Sequence, residues 1–214
     1  MAKAMVMALE QIGFVGNIQS SNPSNQQMSN VKNLLKASDE MVSQGIHIQG
    51  STDLKLGNAA RLTGRYKAAM EYYERALKTF RSESNKSGEA DALINIGYVS
   101  LNQGEIAQAY ADFNNAQAMK KELGETNGEA DAILAMANLA LAGNEIQQAE
   151  QMFTQALNIK EQHKDEHGIA IALIGLGNIL EMKKDYIAAQ LHYRQGLIIK
   201  RRQKDLEGEA IILS

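Results

Sequence analysis

The chain has 214 residues, 44% hydrophobic and 22% charged, a balance that supports a folded core rather than disorder. Its net charge of −3 argues against a binder dominated by phosphate contacts. The absence of cysteine removes disulfides, thiolate nucleophiles and cysteine-based zinc sites, and one proline with 5% aromatics points to an all-α chain.

Residues 1–16 carry Lys3 and a short apolar run, Ala4 to Leu9, broken by Glu10 and Gln11. A helix packed on the body is expected here rather than a leader. Residues 17–30 are rich in Asn, Gln and Ser and hold Pro23, the composition of a linker. Within residues 31–49, Val31, Leu34, Leu35, Met41 and Val42 fall at helical spacing and predict a capping helix for the body that follows. No run approaches the roughly 20 apolar residues of a membrane span, and with no cysteine or leader the chain is expected to be cytoplasmic.

From residue 50 the sequence repeats. Gly88-Glu89-Ala90, Gly128-Glu129-Ala130 and Gly208-Glu209-Ala210 stand forty or eighty residues apart, with Gly168-Ile169-Ala170 between the last two. Small residues recur at Gly57, Gly97, Ala137 and Gly177, and alanine at Ala69, Ala109, Ala149 and Ala189. An aromatic recurs at Tyr73, Phe113, Phe153 and Tyr193, followed by Ala76, Ala116, Ala156 and Gly196. Four units result, 50–89, 90–129, 130–169 and 170–209, with 210–214 opening a truncated fifth.

Each unit reads as two helices. In the second, the first helix spans about Glu89 to Gln103, with Leu93, Ile96, Gly97 and Ser100 on one face. Turns follow at Gly64, Gly104, Gly143-Asn144 and Lys184-Asp185. Second helices open near Tyr66, Ile106, Ile146 and Tyr186 and end in lysine-rich stretches suited to the negative end of the helix dipole. Among them, Lys200-Arg201-Arg202-Gln203-Lys204 offers charge to an acidic partner, but the simpler reading is a solvated helix end. A lone hairpin cannot bury its apolar face, so the units must stack.

This small, alanine, aromatic, alanine pattern in helix–turn–helix units resembles the tetratricopeptide repeat. The forty-residue period, the linkers Ser87-Gly88, Asn127-Gly128 and Glu207-Gly208, and the strings Leu56–Asn58 and Leu176–Asn178 are similar to the long repeats of the LGN/Pins adaptor type. The resemblance covers about residues 50–214 and implies a right-handed α-solenoid of antiparallel helical hairpins. The usual proline after the second helix is missing. Six extra residues stand there instead, enough to lengthen that helix by about 9 Å. Asp53 replaces the apolar Leu93, Ile133 and Leu173 of later units, so the outer edge of the first unit is expected to be atypical.

The resemblance also implies that first helices line a concave groove. Asn58, Tyr98, Asn138 and Asn178 share one register on them; Leu54, Ile94, Leu134 and Ile174 lie a turn before. Such a ladder suits an extended or helical peptide, with amides pairing its backbone and aliphatic side chains receiving its apolar ones. Asp91 and Asp131 form an acidic rim on the same face, favouring a basic partner or serving only as helix N-terminal charges. The basic clamp that some such domains use for C-terminal carboxylates does not recur; Lys55 with Asn58 comes nearest.

Catalytic chemistry has little to stand on. His163-Lys164-Asp165-Glu166-His167 matches the inverted zinc-protease string, but it falls at a helix end and linker, where a solvated turn is expected instead. No Ser-His-Asp ordering, Walker loop or dinucleotide fingerprint is present, so no enzyme, cofactor or metal is expected. The expected function is a protein–protein interaction scaffold or adaptor holding a partner segment in its groove. A regulatory or sensor module of a larger protein, or an element that self-associates end to end, are the alternatives.

Overall fold

The computed structural model describes residues 48–202 and, before them, 32, 33, 35–38 and 40. The expected segments 1–16, 17–30 and 210–214, and most of the expected capping helix, lie outside the described residues.

Eight helices follow one another from residue 50: α1 Gly50–Leu62, α2 Tyr66–Ser82, α3 Lys86–Asn102, α4 Ile106–Glu122, α5 Thr126–Ala142, α6 Ile146–Gln162, α7 Glu166–Met182 and α8 Tyr186–Arg202. No strand occurs among the described residues. From α2 onward every helix has 17 residues and every connector three. First and second helices are equally long, so the six additional residues of the repeat are not confined to the second helix, where the sequence reading placed them.

One backbone device ends α1 to α7. Gly64, Ser84, Gly104, Gly124, Asn144, Lys164 and Lys184 all have positive φ, between 55° and 80°, at intervals of twenty residues. The next residue then donates its N–H to a carbonyl five back, as from Arg65 to Ala60 (2.9 Å), Glu105 to Ser100 (2.9 Å) and Asp185 to Leu180 (2.9 Å). This left-handed closure satisfies carbonyls that the helix leaves open. Restarts are capped in places: Asn85 Oδ1 and Asp165 Oδ1 accept from the N–H of Gly88 (2.9 Å) and Gly168 (3.0 Å).

Helix α3 thus begins at Lys86, three residues before the expected start, and Ser87-Gly88 and Asn127-Gly128 lie in the first turns of α3 and α5 rather than in linkers. Glycine is needed there for another reason. A Cβ on Gly88 would come within 2.5 Å of the Phe80 ring, and on Gly128 or Gly168 within 2.9 and 2.5 Å of the Lys120 and Lys160 side chains. The end of each second helix lies directly on the start of the next hairpin.

Within the stack each helix packs on its sequence neighbours, and α1, α3, α5 and α7 also pack on one another in order. The second helices do not approach each other to that degree, so the first helices form the inner layer of the solenoid. The aromatic column fills the space between layers: Tyr73, Phe113 and Phe153 are wholly buried, each contributing roughly 1.5–3 kcal/mol by area. Each ring lies over one glycine, Tyr73 on Gly57, Phe113 on Gly97 and Tyr193 on Gly177. In the third hairpin that place is Ala137, and Phe153 lies instead over Gly175 of α7.

At the N-terminal end, residues 35–38 are helical, and Leu35 and Ile48 are buried with Leu56, Ala60 and Tyr72. Tyr72 donates its hydroxyl to the Leu35 carbonyl (3.1 Å). Asp53 is fully buried and held by Arg75, whose guanidinium also reaches Ser38 and stacks 4.9 Å from the Tyr72 ring. The charge that marks the first unit as different is thus an internal ion pair and not an exposed edge.

Candidate functional site

The four ladder residues lie where the register puts them, on α1, α3, α5 and α7. Asn58, Tyr98 and Asn138 are half-buried and Asn178 is exposed. Their immediate partners are internal. Tyr73 donates its hydroxyl to Asn58 Oδ1 (2.7 Å), and the single Tyr193 O–H lies 2.8 Å from both Asn178 Oδ1 and Glu181 Oε2, which share it. Where the aromatic column is Phe, no hydroxyl exists to hold the ladder. Asn138 then donates to the Leu134 carbonyl (3.0 Å), and Tyr98 meets Phe113 edge-on, centroids 5.2 Å apart. Each tethered amide keeps N–H donors for a second partner.

Arg61 joins the first two units, its guanidinium 5.8 Å from the Tyr98 ring centre, and its Nε is buried without a hydrogen-bond partner. Burial pushes the phenols of Tyr98 and Tyr73 up to about 12; a neighbouring Asp131 adds to the rise at Tyr98, and Arg61 opposes it at both rings. Burial and then Glu181 raise Tyr193 as well. All three are therefore neutral donors at physiological pH.

Of the aliphatic residues a turn earlier, Leu54 and Ile174 are half-buried, but Ile94 and Leu134 are core, 8% and 2% exposed. Those two pack between hairpins and present no side chain to a ligand. The accessible aliphatic rail lies a turn later, at half-buried Leu101 and Leu141.

The acidic rim has a structural duty that sequence reasoning missed. Asp91 Oδ1 lies 2.7 Å from Lys120 Nζ and Asp131 Oδ1 2.6 Å from Lys160 Nζ. Both lysines are buried, 3% and 0% exposed. Lys120 also contacts Glu125 (2.7 Å) and Ser87 (2.9 Å); Lys160 contacts Asp165 (2.7 Å) and the Asn127 carbonyl (3.1 Å). Burial would lower the Lys120 pKa, but Asp91 and Glu125 outweigh it and raise it, so this buried amine stays charged. Lys200 is the third member, 5% exposed and 3.4 Å from His167 Nδ1, not a solvated helix end. The signal was one column, Phe80, Lys120, Lys160 and Lys200: three cations in register with a core ring. Asp91 and Asp131 keep their side chains about half exposed, at 47% and 49%, so one face of each carboxylate still meets solvent on the inner layer.

The histidine string is split by its own turn. His163 closes α6, Lys164 takes φ 55°, Asp165 caps α7 and His167 lies inside α7. His163 Nε2 is 2.8 Å from the Thr126 hydroxyl at the start of α5, within the same hairpin. The two imidazoles do not share a helix face, which the zinc-protease geometry requires.

The face thus offers amide, phenol and carboxylate groups beside aliphatic patches, the means to hold a polypeptide. A family model described as tetratricopeptide repeat matches residues 54–82, within α1 and α2. Solved structures show the same fold across most of the chain. The apo form of RapI aligns with TM-score 0.69 at 18% identity, covering 87% of this chain and 69% of that one. The nearly identical TPR-like repeats of a kinesin-light-chain-type protein from Podosopora anserina align with TM-score 0.57 at 14% identity, covering 83% and 90%. PilF from Pseudomonas aeruginosa aligns with TM-score 0.55 at 15% identity, covering 99% and 88%. No curated protein matches the sequence. Identities this low carry the fold and not the partner.

Proposed function

We propose that this chain, which has the fold of tetratricopeptide-repeat proteins, acts as a protein-interaction scaffold that holds a partner segment along its inner layer. The supporting observation is the row of polar groups on successive first helices, Asn58, Tyr98, Asn138 and Asn178, one per unit and none fully buried. In this reading the spare amide N–H groups pair with the backbone of the bound segment. Leu54, Leu101, Leu141 and Ile174 take its apolar side chains, and the outward faces of Asp91 and Asp131 favour a basic residue on it. Among the described residues no helix is long and apolar enough to cross a membrane.

The test compares wild type with Asn58→Ala/Asn138→Ala/Asn178→Ala, and with Gln147→Ala/Gln151→Ala on exposed positions of α6 as control. Partners captured on the immobilised protein are identified, and their footprint is read by hydrogen exchange. Loss of at least about tenfold in affinity for the ladder variant only, with protection mapping to α3 and α5, is the expected result. Unchanged capture by a folded ladder variant would leave the asparagines as internal fasteners and overturn the reading.

A further inference from the structure

The repeat supplies its own control for an outer surface. On each second helix, four positions spaced i, i+4, i+7 and i+11 fall within about 60° of one another around the axis and form one stripe. They are Lys67, Glu71, Glu74 and Lys78 on α2; Ala107, Ala111, Asn114 and Ala118 on α4; Gln147, Gln151, Thr154 and Asn158 on α6. On α8 they are Ile187, Leu191, Arg194 and Ile198. All of these residues are exposed. A following hairpin leaves this stripe uncovered on α2, α4 and α6, so stacking does not explain the apolar residues on α8.

Three units keep the stripe charged, small or polar. The fourth alone makes it aliphatic, with Ile187 87% exposed, Leu191 56% and Ile198 53%. The charge changes too. Helices α2, α4 and α6 each carry acidic residues; α8 carries Arg194, Lys200, Arg201 and Arg202 and no Asp or Glu. Lys200 turns inward, which leaves Arg194 in the middle of the aliphatic stripe and Arg201 and Arg202 at its C-terminal end. This cationic, aliphatic strip stands on a molecule of net charge −3.

We propose that the outer face of α8 is a second docking surface, separate from the inner layer, and that its occupant is an acidic amphipathic helix of a partner protein. The partner's aliphatic side chains would lie between Ile187, Leu191 and Ile198, and its flanking carboxylates would meet Arg194 and Arg201 or Arg202. The strip runs about 16 Å along α8, three turns of a helix, and is about one side chain wide. That shape fits a helix better than a bilayer. Arg202 is already paired with Glu166 (2.8 Å), so Arg194, inside the strip, is the cation that a partner carboxylate would meet first.

The probe is a fluorescein-labelled helical peptide of about 18 residues with Leu along one face and Glu on both flanks, titrated with the full chain and followed by anisotropy. Its counterpart carries Lys for every Glu. Ile187→Gln/Leu191→Gln/Ile198→Asn gives α8 the exposed residues of α6, so folding, checked by circular dichroism, is retained. The expected result is at least a tenfold weaker Kd for this variant, a comparable loss for Arg194→Glu and for the Lys peptide, and no change for the ladder variant described above. Equal binding of the Glu peptide to the triple variant, or of the Lys peptide to wild type, overturns the proposal. Loss of binding in the ladder variant also overturns it, by placing the peptide on the inner layer. If the peptide fails to bind wild type, the assignment falls; loss of sedimentation with phosphatidylserine-containing vesicles, or of concentration-dependent mass, in the triple variant then names lipid or a second copy as the occupant.

Discussion

A lysine with no exposed surface is costly unless its ammonium is fully partnered, and Lys160 shows how the repeat arranges this. Its methylenes lie on Gly168, while its amine meets two carboxylates and a carbonyl. The partners are unequal. Asp165 also caps α7 through Gly168 N–H, so Asp165→Ala removes both a cap and half of the charge balance. We expect it to cost about 3 kcal/mol in urea unfolding. Lys160→Met keeps the aliphatic packing and leaves carboxylates that water can reach; about 1–2 kcal/mol is expected. Burial works to raise the Asp165 carboxyl, but bonds from Lys160 and Gly168 prevail and hold it at about 2. A depressed folded pKa means this contribution is present above about pH 4 and lost as pH falls toward 2. Asp112 runs the other way: burial raises it against a bond from Gln108, and its Oδ2 has no partner. Asp112→Asn is therefore expected to stabilise by about 1 kcal/mol at neutral pH, a gain that fades in acid as the wild-type carboxyl protonates.

At the scale of the helix, the twenty-residue alternation rests on a left-handed residue that glycine supplies only at Gly64, Gly104 and Gly124. A Cβ on Gly104 meets nothing within 4 Å, so Gly104→Ala isolates the backbone term and should lower stability by about 1 kcal/mol. Lys184→Gly, at φ 64°, should raise it by a similar amount, read as opposite shifts in thermal midpoint. These connectors also show why some boundaries were legible and others not. Second helices begin at Tyr66, Ile106, Ile146 and Tyr186, as read, because an apolar residue follows a turn residue there. First helices begin earlier than read because Gly88 and Gly128 look like breakers in a string and are contact points in space. The ladder's register was equally visible, since it needs only the period. That Ile94 and Leu134 are core, and that Asp91 and Asp131 hold buried lysines, depends on hairpin stacking, which one unit's pattern does not contain.

For the whole molecule, the repeat is regular in length but not interchangeable in content. Each interlayer ring needs one position without a Cβ, and the first, second and fourth units find it in their own first helix, at Gly57, Gly97 and Gly177. The third, with Ala137, borrows Gly175 from its successor; the equivalent residue of the third unit itself is Ala135. Duplicating residues 86–125 directly after residue 125 keeps each ring on its glycine, because Phe113 rests on Gly97 of its own unit and the copy brings Asn95 to the register that α3 already occupies after α2. That longer chain should fold with a larger urea m-value and no loss of midpoint. Duplicating residues 126–165 after residue 165 keeps the Asp165 cap and supplies Gly128 for Lys160 to lie on. It also brings the copy's Ala135 against the Phe153 ring, where a Cβ at the native glycine would approach to 2.3 Å. Strain of about 1–3 kcal/mol is expected at that junction, with a lowered midpoint or a broadened transition, and Ala135→Gly in the copy should relieve it. If the two duplications are equally stable and the glycine makes no difference, the rings adapt freely and the glycine pairing does not set the order of units.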